Sequence, residues 1–147
     1  GPEPFDDWNA KIAAAKCRGK RSPIKTTLLD QKFVVGVGNI YACEALHNAG
    51  ISPTKLAAKL VTKSGKPTKA LEKLVDEVKI VLKKAIAAGG STLNDFADVD
   101  GNLGYFSHHF TIYGREDQPC LKAGCSGTVE RIVQSNRSTF WCPRCQK

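Results

Sequence analysis

Leu71, Leu74, Val75, Val78 and Leu82 recur every three or four positions through a stretch otherwise rich in Lys, Glu and Asp. That spacing lines one side of an α-helix and predicts a long amphipathic helix ending before Gly89-Gly90. From Asn39, "NIYACEALHNAG" carries a second helical stripe of Ile40, Cys43 and Leu46, with Gly50 placed to stop it. Upstream, Asp6 and Asp7 are candidate caps for a helix to about Ala15, with Trp8 and Ile12 one turn apart and Gly19 beyond its end. Ser22-Pro23 combines a cap with a first-turn proline and predicts a short helix to about Gln31. Ser52-Pro53 repeats the signal for another near 54–61. "FVVGVGN" is apolar but broken by glycine, so it reads as a tight turn, "TKSGKPTK" reads as a loop, and 91–110 reads as an ordered loop.

The period changes in the last fifth of the chain. In "TVERIVQ", Val129, Arg131 and Val133 oppose Glu130, Ile132 and Gln134, and "STFWC" is a β-prone return strand. Ser135-Asn136-Arg137 lies between them, which predicts a β-hairpin with Arg137 at its tip. The fold class is therefore mainly α with a small β module. Its expected domains are a helical one over 1–110, including the loop 89–110, and a hairpin over 111–147.

Charge adds a class of partner. The 147 residues hold 22 Lys and Arg against 14 Asp and Glu, a net charge of +8 that favours a polyanion. The excess sits early: nine basic and five acidic residues over 1–60, seven and three over 61–92, six and six over 93–147. No apolar run approaches membrane-spanning length, and no signal-peptide pattern opens the chain. These features predict a soluble intracellular protein, where clustered cysteines read as metal ligands. The opening "GPEPFDDW" lacks an initiating Met and reads as a fragment or a processed product.

Cys120 and Cys125 are separated by four residues, Cys142 and Cys145 by two, with sixteen between the pairs. A hairpin brings two such pairs together, and four thiolates in a tetrahedron suit one structural Zn²⁺ with no open position for catalysis. Two disulfides are the competing arrangement. A zinc-dependent hydrolase is disfavoured, because the cysteine shell is saturated and no catalytic acid stands beside it. Cys17 and Cys43 have no partner spacing, and Cys43 reads as a small core residue. His108 and His109 read as loop residues.

"GVGN" opens a helix, so free N–H groups and the positive helix end lie beside Asn39, which could cap the helix or donate to a phosphate. Arg21 and Lys25 on the preceding segment favour the phosphate. Here the residues meet a family. "IKTTLLDQKFVVGVGNIYACEAL" resembles the helix–two-turn–helix of bacterial formamidopyrimidine-DNA glycosylases, "GGSTLNDFADVDGNLGYF" their connecting segment, and "TIYGREDQPC…RSTFWCPRCQK" their C-terminal zinc finger. The resemblance spans essentially the whole chain and departs at the four-residue spacer between Cys120 and Cys125, where two is common. It implies a helix–two-turn–helix domain followed by a four-cysteine zinc β-hairpin.

The same resemblance implies that Asn39, Arg21 and Lys25 grip phosphates around a flipped-out lesion, and that Arg137 reaches the phosphates flanking it. Arg137 would also be the family's proton donor for δ-elimination. Guanidinium hardly gives up a proton, which favours phosphate binding and charge stabilisation. Residues Ser91 to Tyr105 would match the loop covering the extruded base. The family's nucleophile is an N-terminal proline amine followed by a glutamate acid, in a β-rich domain that also supplies a catalytic lysine and that this chain lacks. Gly1 blocks Pro2 from that role, and "GPEPF" resembles the interdomain segment. The implied parent is a bifunctional glycosylase and abasic-site lyase of base-excision repair in the bacterial cytoplasm, associated with the nucleoid. It would be a monomer acting on double-stranded DNA that holds 8-oxoguanine, formamidopyrimidines or abasic sites. This chain alone would bind without catalysing. The alternative is a non-enzymatic, ribosome-associated zinc-ribbon module that binds nucleic acid.

Overall fold

The computed structural model describes residues 1–88 and 110–147. The readings of Ser91 to Tyr105 as a covering loop and of His108 and His109 fall outside the described residues. The helices are α1 (Ala10–Cys17), α2 (Ile24–Leu28), α3 (Asn39–Ala49) and α4 (Lys69–Ala87), with a 3₁₀ turn at Ala57–Leu60 between the last two. β1 (Glu130–Gln134) and β2 (Arg137–Trp141) follow.

Several boundaries differ from the sequence expectation, because other partners take the groups concerned. Asp7 does not cap α1; its carboxylate accepts from Glu3 N–H at 2.6 Å and closes an earlier turn. Asn9 caps instead, its Oδ1 accepting from Ile12 N–H at 2.9 Å. Pro23, not Ser22, holds the cap position of α2, because Ile24 N–H donates to Lys55 O at 2.7 Å and needs no side-chain acceptor. That helix ends at Leu28 rather than Gln31, since Asp30 turns to accept from Lys32 N–H. The helix near 54–61 is a single 3₁₀ turn. α3 starts at Asn39 and stops at Gly50 as expected, with Gly50 in the left-handed region at φ 75° and its N–H on Leu46 O and His47 O.

Two hydrophobic clusters form. The larger gathers Trp8, Ile24, Leu28, Phe33 and Leu46 against the α4 stripe, where Leu71 and Leu74 are fully buried. It contains no residue from 110–147. The smaller holds Ile112, Val129, Phe140, Cys120 and Cys142, and Cys43 of α3 is its one helical contribution. Cys43 is thus a core residue, as read from its place on an apolar face, but in the second core.

The hairpin is antiparallel, with Gln134 opposite Arg137 and Ile132 opposite Thr139. Ser135 and Asn136 both have positive φ, 49° and 65°, the backbone of a two-residue turn whose twist matches the flanking strands. Arg137 is therefore the first residue of β2 and not part of the turn, a correction of one position. The correction matters for orientation, because strand side chains alternate and Arg137 shares a face with Thr139. Polar contacts tie this module to the segment after α3, among them Gln134 Nε2 to Pro53 O at 3.2 Å, Gln146 Nε2 to Ile51 O at 2.9 Å, and Lys147 N to Gly50 O at 3.0 Å.

Candidate metal centre and nucleic-acid interface

The four cysteines named from spacing converge. All four sulfurs lie within 4.8 Å of one another, with Cys120–Cys145 at 3.8 Å and Cys125–Cys142 at 3.7 Å. Four sulfurs each about 2.3 Å from a tetrahedral Zn²⁺ stand roughly 3.8 Å apart, so the donor set fits one structural zinc. A disulfide needs about 2.05 Å, and all six cysteines are free. Burial raises the pKa of Cys120, and burial with the neighbouring Cys142 and Cys120 pushes Cys145 up to about 12. Crowded thiols resist ionising together, and a bound dication is what makes four thiolates compatible in this space. Cys125 shifts the other way, foremost because Gly127 N–H points at its sulfur from 3.4 Å.

Gly127 is a site residue that spacing did not reveal. A Cβ there would stand 2.5 Å from Cys142 Sγ and 2.8 Å from Arg144 Cβ. Glu44 and His47 were missed as well. Both are buried on α3, in the stripe read from Ile40, Cys43 and Leu46. The Glu44 carboxylate accepts from Thr111 N at 2.7 Å, Thr111 Oγ1 at 3.0 Å, and Ile112 N and Tyr113 N at 2.9 Å. Three successive N–H groups converge on one carboxylate, so Glu44 fastens the start of the zinc module to α3. His47 lies 3.1 Å from Thr111 Oγ1 and 3.4 Å from Cys120 Sγ. Burial, then Lys122 and Arg115, lowers its pKa to about 4, leaving a neutral imidazole. The available cue was two ionisable residues three apart inside an apolar helix stripe.

The second group of expected residues meets across the module junction. Lys25 Nζ donates to Asn39 Oδ1 at 2.5 Å and to Thr139 Oγ1 at 2.8 Å, while Asn39 Nδ2 donates to Ser138 O at 3.0 Å. Gly38 occupies the cap position of α3 and Asn39 is its first helical residue, so the reading of Asn39 as a helix cap does not hold. Lys25 is completely buried, which corrects its expected place as an exposed phosphate contact; its amine supports Asn39 from beneath. Burial lowers the Lys25 pKa, the Cys43 thiol opposes that, and Arg137 lowers it further. The Arg137 side chain is exposed and, among the described residues, has no hydrogen-bond or ion-pair partner. Arg21 is exposed too, but no contact joins it to Asn39, Lys25 or Arg137 among the described residues. Two cations, an amide and the positive end of α3 thus share one edge of the molecule.

The fold thus joins a helix–two-turn–helix, whose second helix begins at this edge, to a four-cysteine finger. Residues 1–97 match the family model described as the formamidopyrimidine-DNA glycosylase H2TH domain, and residues 117–147 match the zinc finger found in FPG and IleRS. The chain belongs to the formamidopyrimidine-DNA glycosylase family. It is 51% identical over its full length to the formamidopyrimidine-DNA glycosylase of Rhodopseudomonas palustris strain BisB18, and 54% identical to that of Chelativorans sp. strain BNC1. It covers 50% of each, so the chain spans about half the length of the curated relatives it matches. Among solved structures it resembles MutM in complex with carbocyclic 8-oxo-G containing DNA, at TM-score 0.80 and 32% identity over all of this chain and 51% of that one. It also resembles the Lactococcus lactis Fpg in complex with an abasic site containing DNA, at TM-score 0.81 and 32% identity, again over all of this chain and 51% of that one. No helix among the described residues is long and apolar enough to cross a membrane.

Proposed function

We propose that this chain is the duplex-binding half of a bifunctional DNA glycosylase and abasic-site lyase that removes oxidised purines in base-excision repair. One observation carries the reading: Lys25, Asn39 and Arg137, from three different elements, are drawn to one edge by contacts among α2, α3 and β2. Asn39 and Arg137 contact phosphates directly, Lys25 acts through Asn39, and Arg21 meets the backbone further along. Arg137 supports δ-elimination by holding charge. The names of the relatives and the lesion-bearing DNA in the solved complexes support this partner, and nothing favours a ribosome-associated module.

The zinc supplies no step of the chemistry; it closes the hairpin that carries Arg137. The unit boundary lies near residue 110, a division supported by a larger core that takes nothing from 110–147 and a smaller one drawn from there except for Cys43. Excision and strand nicking belong to a region outside this chain, so the chain alone binds without cleaving. The protein acts as a monomer in the bacterial cytoplasm, at the nucleoid.

The test is a fluorescence-anisotropy titration against a duplex with a tetrahydrofuran abasic analogue, repeated over a series of salt concentrations. Arg137→Ala should weaken binding and flatten the plot of log affinity against log salt by roughly one unit, the share of one neutralised phosphate. An unchanged slope removes Arg137 from the phosphate contacts. Asn39→Ala should weaken binding as well and lower the thermal midpoint, because it strips a partner from buried Lys25 and from Ser138 O. Borohydride treatment on a duplex containing 8-oxoguanine should trap no covalent adduct. An adduct would place a Schiff-base amine within this chain.

A further inference from the structure

We propose that His47 is a positioning residue of the zinc centre, donating its Nε2–H to the Cys120 thiolate while Thr111 and Glu44 lock the imidazole in place. The proposal rests on the zinc reading of the four cysteines and concerns a residue outside that ligand set.

A buried imidazole needs a partner at each ring nitrogen. Only 2% of His47 is exposed, and its two neighbours are Thr111 Oγ1 at Nδ1 and Cys120 Sγ at Nε2. The proton inventory then settles the direction of the bond to sulfur. A thiolate that ligates a metal has no proton to give, so the hydrogen must sit on Nε2 and point at sulfur. At Nδ1 the ring is held by Thr111 Oγ1, 3.1 Å away, and Thr111 is itself fixed by the Glu44 carboxylate.

The chemical need is plain. A dication held by four thiolates carries two excess negative charges, and N–H donors aimed at the sulfurs spread them. Gly127 N–H serves Cys125 in this way, and His47 serves Cys120, the better buried member of its pair. A second contact holds the ring's own backbone: Lys122 Nζ, from the loop between Cys120 and Cys125, donates to His47 O at 3.0 Å. The metal loop and α3 therefore grip each other from both directions. Zinc occupancy is thereby coupled to the helix whose first residue is Asn39.

Zinc affinity, measured by competition with a chromogenic chelator, tests this in the intact chain. The wild type should hold one zinc. His47→Phe keeps ring volume but loses both nitrogens, and should bind zinc about 10- to 100-fold more weakly with helical circular dichroism retained. His47→Gln, whose amide nitrogen can occupy the place of Nε2, should recover most of that loss. Long-range ¹H–¹⁵N spectra of the zinc-loaded wild type should show the Nε2–H tautomer. Equal affinity in His47→Phe, or a ring protonated only at Nδ1, overturns the proposal. The spectrum decides it even where the Phe variant does not fold. A wild-type chain that holds no zinc would instead overturn the metal site itself, a result distinct from a loaded wild type with an indifferent Phe variant.

Discussion

Gly127→Ala is expected to lose its zinc at chelator concentrations that leave the wild type loaded. The new methyl would stand 2.5 Å from Cys142 Sγ, a separation that no carbon and sulfur share without one moving. The backbone cannot yield easily, because Gly127 O accepts from Cys120 N–H at 2.9 Å and the adjacent Thr128 is bridged to Pro119. On the far side, Cys142 N–H is held by Gln146 Oε1 at 2.8 Å and the residue is fully buried. A ligand must therefore leave the tetrahedron. Overpacking alone costs about 1–3 kcal/mol. Loss of a ligand draws on the metal's contribution to folding, on the order of 10–16 kcal/mol in small fingers. Near-ultraviolet signals from Trp141 and Phe140 should report the collapse of the hairpin. Helical ellipticity should persist, as it should when the wild type is chelated, because the larger core takes nothing from 110–147. Unchanged zinc affinity, or loss of the helices together with the hairpin, would refute this account.

The second large effect is expected at Glu44. Alanine there leaves the N–H groups of Thr111, Ile112 and Tyr113 facing a cavity where no carboxylate stands. Each unsatisfied buried donor costs about 1–3 kcal/mol, so Glu44→Ala should lower stability by on the order of 3–5 kcal/mol. That is a large share of the roughly 5–15 kcal/mol typical of a whole domain. Glu44→Gln fills the space but turns an amide –NH₂ toward donors, and should lose about half as much. Urea unfolding followed by circular dichroism measures both. A midpoint for the alanine variant within error of the wild type would mean that the three N–H groups find other acceptors.

The two predictions fall on residues of opposite legibility. The cysteine ligands declare themselves, because metal spacing is a property of a few covalent neighbours and a turn between strands. Gly127, which the same metal depends on, looks like any loop glycine until the sulfur above it is placed. Glu44 is visible as a polar residue in an apolar stripe, but nothing nearby in sequence says that its partners lie at 111–113. The caps show the same limit. Ser22 is chemically able to cap, and it loses the role to Pro23 because Ile24 N–H is taken by Lys55 O, a contact that a window of sequence does not contain. Asp7, by contrast, loses it to Asn9 within its own neighbourhood.

By itself, the sequence determined the long helix from the period of its leucines and valines, the start of α3 at Asn39, its stop at Gly50, the hairpin and the four-thiolate donor set. These follow from rules that act within a few residues: helical and strand periods, left-handed glycine, and chelate spacing. Only the tertiary structure decided that Lys25 is buried beneath Asn39, that Arg137 begins a strand on the face of Thr139, and that His47 meets a metal ligand. Those outcomes join positions such as 25 and 139, or 39 and 138, and they arise when the second core closes over Cys43. Which of many lysines loses its water is set by that closure, because burial depends on what packs above a residue and not on its neighbours along the chain.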